Sequence, residues 1–280
     1  MRREFTYPSV DGIHEIHAVE WLPQGEPRAV VQIVHGVAEY ALRYDPLAQY
    51  LTEHGFVVCG EDHLGHGLTA QGGEYGYFGP ENGWDLVARD VRRLRKLEGE
   101  NHPGIPYIML GHSMGSFLTR TYLIRWPGTV DAAVLSGTGQ EAAPLVALGK
   151  GISGMIGTLR GRDYVSDLVY DLSMGSYNKH FQPNETSGDW LSRDADVVRA
   201  FGNDPLCSFK PTVTMFRDRA VIIIGIIAAV KMFGSSDAKE TAKDSTYKEV
   251  KENAAEKELF SFSGIAISLI LCCCKISLLA

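Results

Sequence analysis

The sequence predicts an α/β fold: a mostly parallel central sheet with an antiparallel N-terminal strand pair, helices on both faces and a helical insertion. Three observations carry this. Apolar runs of five or six residues alternate with helical patterns through residue 136, a rhythm that needs crossovers and so a sheet covered on both sides. One strand-to-helix junction carries Gly111-His112-Ser113-Met114-Gly115. The rhythm then stops, and residues 140–210 are rich in Gly, Met, Leu and Tyr with short helical stretches and no clear strand.

The elements follow in order. Residues 4–10 and 13–21 alternate and predict two antiparallel strands joined at Asp11-Gly12, a hairpin signal. Residues 29–34 form an apolar strand that runs into His35-Gly36. Residues 44–54 predict a helix with Leu47, Tyr50 and Leu51 on one face. A strand over 56–60 leads to Glu61-Asp62-His63-Leu64-Gly65-His66-Gly67. A helix over 82–97 places Trp84, Leu86, Val87, Val91 and Leu94 toward the sheet. A strand over 106–110, the glycine-flanked turn, a helix over 115–126 and a strand over 132–136 complete the regular part. Residues 194–201 predict a helix stopped at Gly202-Asn203. The domain division read from this is a core over 1–139, a helical cap over 140–210 and an atypical C-terminal part of the core over 211–280.

The chain has 280 residues and a formal charge of -7, so it carries no basic footprint for nucleic acid. Cys59 and Cys207 are scattered and Cys272, Cys273 and Cys274 are consecutive, which resembles neither a disulfide framework nor a zinc site. The N-terminal stretch MRREFTYPSVDG has charges without an apolar core, so the expected location is the cytoplasm.

Composition breaks near residue 219. All nine histidines and every Trp and Pro precede residue 212, and arginine stops at Arg219. Beyond it come an apolar β-branched run (219–233), a charged helix-prone run (237–258) and a second apolar run (259–280). Three readings stay open: the native end of the core, a membrane-associated tail, or a segment foreign to the rest through a frameshift or fusion. Leu259 to Cys274 is interrupted by serines and falls short of the roughly 20 apolar residues that span a bilayer. If 219–280 is foreign, the sheet loses its native last strands and exposes apolar edges; Val221–Ala229 is still a candidate parallel strand beside 132–136, and the stretch after Phe260 a candidate for another.

The turn at 111–115 has the form of a nucleophile elbow. The backbone bends sharply, the two glycines avoid a Cβ clash, and Ser113 Oγ is presented at the top of the sheet. Met114 N–H points into the same space. The turn after His35-Gly36 aims the Val37 N–H there too, so Val37 and Met114 form a two-donor oxyanion hole. The His35 side chain is read as structural, bonding the turn. His112 points away from Oγ. Asp62, His63 and His66 invite a metal reading, but no third convergent ligand motif accompanies them, and no metal site is expected.

The stretches VVQIVHG (30–36), EDHLGHG (61–67), WDLVARDV (84–91), LGHSMG (110–115) and NDPLC (203–207) resemble the monoacylglycerol lipase and lysophospholipase group of the α/β-hydrolase superfamily, the serine aminopeptidase family. The resemblance runs through about the first 216 residues. It implies an esterase or lipase fold with a helical cap over an acyl pocket, Ser113 as nucleophile, and Val37 and Met114 as oxyanion donors. The ligand it implies is a small acyl ester, a monoacylglycerol or a lysolipid, with no cofactor. It also implies a late acid and a late histidine. Gly234-Ser235-Ser236-Asp237 has the expected form for the acid, making Asp237 the candidate. The place for the histidine holds Ser261-Phe262-Ser263-Gly264-Ile265, and no histidine follows His180. The expectation is therefore a serine ester hydrolase impaired by the loss of its base; the alternative is a non-catalytic acyl-binding protein on the same scaffold. Leu145, Val146, Leu148, Ile152, Met155, Ile156 and Leu159 either line an acyl site or form a core between cap and sheet.

Overall fold

A computed structural model describes residues 1–70, 72–139, 143–175, 177–218 and the strand 267–270. Seven strands form one sheet: β1 (Arg2–Pro8), β2 (Glu15–Trp21), β3 (Ala29–Val34), β4 (Phe56–Glu61), β5 (Tyr107–His112), β6 (Ala132–Ser136) and β7 (Ile267–Ile270). Their spatial order is β1-β2-β4-β3-β5-β6-β7. β3 is parallel to both β4 and β5, and β5 to β6. β1 and β2 run antiparallel to each other, and β2 is antiparallel to β4. This is the mixed sheet that the sequence predicts.

The hairpin is wider than Asp11-Gly12 alone suggests. β1 ends at Pro8 and β2 starts at Glu15, because side-chain carboxylates take the backbone donors between them. Asp11 Oδ1 accepts from the N–H groups of Ile13 (2.8 Å) and His14 (3.0 Å). Asp90 accepts from Val10 N–H (2.8 Å) and from Ser9 Oγ (2.7 Å). Gly12, at φ 75°, supplies the left-handed step.

Helix α1 (Asp45–Glu53) follows a short 3-10 turn, Ala41–Tyr44. Its buried position is Ala48, and Tyr50, expected on the buried face, is exposed. Helix α2 (Gly83–Asn101) buries Trp84, Val87, Val91 and Leu94. Helix α3 (Met114–Arg125) buries Met114, Phe117, Leu118 and Tyr122.

The core has two halves because strand residues alternate across the sheet. On one face Val30, Val34, Val57 and Met109 join the buried positions of α2 and α3. On the other, Val19, Val31, Ile33 and Val58 join Ala41 and Ala48. β3 is wholly buried, which is why its sequence is apolar on both faces except at Gln32. Gln32 shares the first face and is satisfied there. Its Nε2 donates to the Val91 carbonyl (3.0 Å), and its Oε1 accepts from Tyr107 OH (2.9 Å).

After β6 the described chain up to residue 218 is helical or irregular. It contains α4 (Ala143–Arg160), α5 (Asp167–Tyr170), single turns at Asp171–Gly175 and Tyr177–His180, and α6 (Ala195–Asn203). Asp194 caps α6 by accepting from Asp196 N–H at 2.9 Å. The helix ends at Asn203, at the Gly202-Asn203 stop read from the sequence, with Asp204 as its C-cap. On α4, Val146 is buried, whereas Leu145, Leu148, Met155 and Leu159 are exposed, so these four form no core with the sheet. Residues 213–218 are helical.

The position beside β6 differs from expectation. It is held by β7, antiparallel, with Ser136 opposite Ile267. Val221–Ala229, expected there as a parallel strand, lies outside the described residues, as do Asp237, 261–265 and 272–274. No described helix is long and apolar enough to cross a membrane.

Candidate active site

The site is built where β3, β5 and β6 end. Ser113 joins β5 to α3 at φ 50° and ψ -117°, a region an L-residue enters only under constraint. Three hydrogen bonds hold it there. Its N–H donates to the Ser136 carbonyl at the end of β6 (2.9 Å). Its carbonyl accepts from Ser116 N–H (3.0 Å) and Ser116 Oγ (2.6 Å), which starts the helix.

The flanking glycines are needed for close approach. A Cβ on Gly115 would lie 1.8 Å from the Val34 carbonyl oxygen. A Cβ on Gly111 would lie 2.4 Å from Thr119 Oγ1 and 2.5 Å from the Gly115 oxygen. The α3 N-terminus is thereby pressed against the end of β3, and the side chain of Ser113 is left half-buried.

The turn after β3 meets the elbow directly. A Cβ on Gly36 would sit 3.1 Å from Ser113 Cβ, so the neighbouring Val37 borders the serine. Met114, as the first residue of α3, carries one of the N–H groups a helix leaves without an internal partner. The structure therefore brings Gly36 against Ser113, and Val37 and Met114 are their immediate chain neighbours. His112 is turned aside, with Nδ1 3.4 Å from Ser136 Oγ. Among the described residues, Ser113 Oγ has no imidazole within hydrogen-bond reach.

His35 is structural. It is fully buried, with Nδ1 2.7 Å from the Gly36 carbonyl and Nε2 accepting from His63 N–H (3.0 Å). Those contacts set its tautomer, with the proton on Nδ1. Burial first, and then the neighbouring His63 and His66, hold its pKa well below the ordinary value. Burial likewise pushes His63 down to about 4 and His66 to about 3, so all three rings are neutral. His35 and His63 stack at 3.9 Å between centroids, presenting faces and not ligand nitrogens to each other.

Asp62 serves the backbone. Its carboxylate accepts from Ala41 N–H (2.8 Å) and Leu68 N–H (2.9 Å) and meets His17 Nδ1 at 2.9 Å. Gly67, at φ 50°, makes room: a Cβ there would lie 2.3 Å from Asp62 Oδ2. One carboxylate thus joins the loop after β3 to the loop after β4.

Two further features were not singled out by the sequence. Glu39 accepts from Gly36 N–H and from Tyr44 OH (2.8 Å), pinning the backbone that presents Val37. The NDPLC stretch docks on the same loop: Tyr40 OH donates to Asp204 (2.8 Å) and Arg43 Nη1 to Cys207 Sγ (3.3 Å). Burial pushes that thiol up to about 11. The only signal available beforehand was that Glu39, Tyr40, Arg43 and Tyr44 crowd into one loop.

With this geometry established, comparison with known proteins is informative. The model of the serine aminopeptidase S33 family matches residues 25–230. The monoacylglycerol lipase of Mycolicibacterium smegmatis is 33% identical over 205 residues, covering 73% of this chain and 65% of that protein. Human monoglyceride lipase is 29% identical over 187 residues, covering 66% of this chain and 54% of that protein. The chain therefore spans between about half and two thirds of the length of these curated relatives. Among solved structures, a thermostable carboxyl esterase from Bacillus coagulans in complex with glycerol superposes with a TM-score of 0.72 at 31% identity, covering 79% of this chain and 72% of that one. A match across most of the described core, together with the elbow geometry, places the chain in the serine aminopeptidase S33 family, with the α/β-hydrolase fold.

Proposed function

We propose that this chain carries the acyl-transfer site of a carboxylic-ester hydrolase of the monoacylglycerol or lysolipid type, with Ser113 as the nucleophile. The observation that carries this is the strained Ser113 backbone, φ 50° and ψ -117°, locked by the close approach of Gly115 to Val34. In such a site the Ser113 hydroxyl attacks the ester carbonyl. The developing oxyanion is met by the N–H groups of Val37 and Met114, where a preorganised donor is worth roughly 3 kcal/mol. Residues 140–210 act as the cap. The exposed apolar residues of α4, Leu145, Leu148, Met155 and Leu159, recur every three or four positions where their spacing is closest, and suit a fatty acyl ligand better than a polar one.

The attack also needs a base to take the hydroxyl proton and return it to the leaving alcohol. No histidine follows His180, so turnover is low. Losing the base costs about 10⁶ in kcat and leaves roughly 10³ over water from the oxyanion hole and binding. Asp237 is the acid that such a triad would use. The lack of an imidazole near Ser113 Oγ also favours a second reading, in which the chain holds an acyl ligand without cleaving it.

The test compares the 280-residue chain with Ser113→Ala in p-nitrophenyl butyrate and monooleoylglycerol hydrolysis, alongside binding of a non-cleavable monoalkyl glycerol ether. Slow hydrolysis with micromolar ether binding supports an impaired hydrolase. Ether binding with no hydrolysis above buffer supports the binding protein. Fast turnover abolished by Ser113→Ala removes the claim of impairment, and failure to bind the ether removes both readings.

A further inference from the structure

The end of the sheet opposite Ser113 holds a cluster that the ester chemistry does not use. Glu20 lies on β2 opposite Cys59 of β4. Glu98 and His102 lie one helical turn apart at the end of α2. They sit near the start of β5, whereas Ser113 follows its last residue. We propose that Glu20, Glu98 and His102 form a binding site for a divalent first-row transition-metal ion, with a structural and not a catalytic role.

The geometry supports it in three ways. One ligand atom from each residue lies within 4.8 Å of the others. His102 Nε2 is 2.8 Å from Glu20 Oε1 and 3.7 Å from Glu98 Oε2. Zinc bonds of about 2.0–2.2 Å in tetrahedral geometry require ligand atoms about 3.3 Å apart, so both distances from His102 lie within about half an ångström of that spacing.

The second support is an unsatisfied atom. Glu98 is fully buried, and its Oε2 makes no hydrogen bond among the described residues. That oxygen is the one turned toward His102. Its other oxygen accepts from Asn101 Nδ2 at 3.4 Å. Glu20 is also buried, and the cation facing it is Arg3, whose Nη2 lies 2.9 Å from Glu20 Oε2. One guanidinium thus faces two buried carboxylates, and a buried carboxylate oxygen without a donor is costly.

Donor chemistry is the third support. One imidazole and two carboxylates suit Zn²⁺, Mn²⁺ or Co²⁺ better than the all-oxygen preference of Ca²⁺ or Mg²⁺. His102 keeps 15% of its side chain exposed, which gives the ion an entry path and leaves a coordination position for water.

The experiment uses the full chain after dialysis against chelator, titrated with Zn²⁺ and separately with Co²⁺. The expected result is one equivalent bound at micromolar concentration and a Tm that rises with Zn²⁺. Co²⁺ spectra should lack a thiolate charge-transfer band, which excludes Cys272–Cys274 as the ligands. His102→Ala and Glu98→Gln should each weaken binding at least about tenfold. Circular dichroism without metal verifies that the variants are folded; His102 is partly exposed, so its variant decides alone if Glu98→Gln does not fold. Absence of Zn²⁺ binding at micromolar concentration, or binding that survives His102→Ala unchanged, overturns the proposal and leaves the two carboxyls sharing a proton.

Discussion

Gly115 faces the Val34 carbonyl so closely that a single added methyl group would sit 1.8 Å from its oxygen. The contact fixes how near α3 approaches the end of β3, and therefore where Ser113 stands. Gly115→Ala must push the helix away from the strand. We expect a loss of more than about 3 kcal/mol in urea unfolding, or failure to fold.

Gly149 is the contrasting case. It lies inside α4, and a Cβ there meets nothing within 4 Å. Gly149→Ala should raise stability by about 0.5–1 kcal/mol through the reduced entropy of the unfolded chain. Urea unfolding checks it, and a loss of stability would mean that this face of α4 is covered.

Ser113 stores strain at φ 50° and ψ -117°. Ser113→Gly removes the side chain that this backbone region disfavours. It should stabilise the protein by about 1 kcal/mol while abolishing any labelling by a fluorophosphonate probe. Thermal unfolding and probe labelling of the two proteins measure both effects.

Asp62 holds two backbone N–H groups from two loops, at 2.8 and 2.9 Å, in a fully buried position. Asp62→Ala orphans both donors and releases the loop that carries Val37. A loss of about 3–5 kcal/mol in urea unfolding is expected. Glu39→Ala, which frees Gly36 N–H at a half-buried site, should cost only about 1–2 kcal/mol.

Stability should fall on both sides of a plateau in pH. Burial pushes Glu61 up to about 8, and burial with the nearby Glu61 pushes Asp90 up to about 7. The folded state keeps these protons after the unfolded chain has lost them, so their stabilisation is complete below about pH 4 and is lost as pH rises toward 8. Buried His63 and His66, held down at about 4 and 3, act oppositely: their contribution is present above about 6.5 and is lost on acidification. The two trends offset between about pH 4.5 and 6.5, and the carboxyls alone set the slope above it. Glu61→Gln should flatten the alkaline decline by about 1–2 kcal/mol between pH 6.5 and 8, read from urea unfolding at each pH.

The strands at 29–34 and 132–136 and the elbow were legible because their signals are local: short apolar runs, then a serine between glycines. Tyr50 was misplaced because the helical face it shares with Leu47 and Leu51 is wider than the part the sheet covers; small Ala48 takes the buried position instead. The stop of α6 at Gly202-Asn203 was also legible, because a glycine followed by Asn is a local signal. Local pattern could not choose between 221–229 and 267–270 for the place beside β6, since both are apolar and β-prone. Glu39 and Asp62 act on backbone from other loops, and Glu20 meets Glu98 and His102 only across the fold. Of that last cluster, the sequence could show only the four-residue spacing between Glu98 and His102.

The pairing of β6 with β7 joins Ser136 to Ile267, which places a neighbour for one edge about 130 residues later in the chain. On a ribosome, β6 emerges long before the strand that covers it. At about 5–20 residues per second, the intervening stretch takes roughly six to twenty-six seconds to be made. Through that interval the nascent sheet displays an open ladder of backbone donors and acceptors, the kind of surface that recruits other chains. Slowing elongation or depleting chaperones should therefore lower the soluble yield of this protein, measured against the same chain expressed at normal elongation rate.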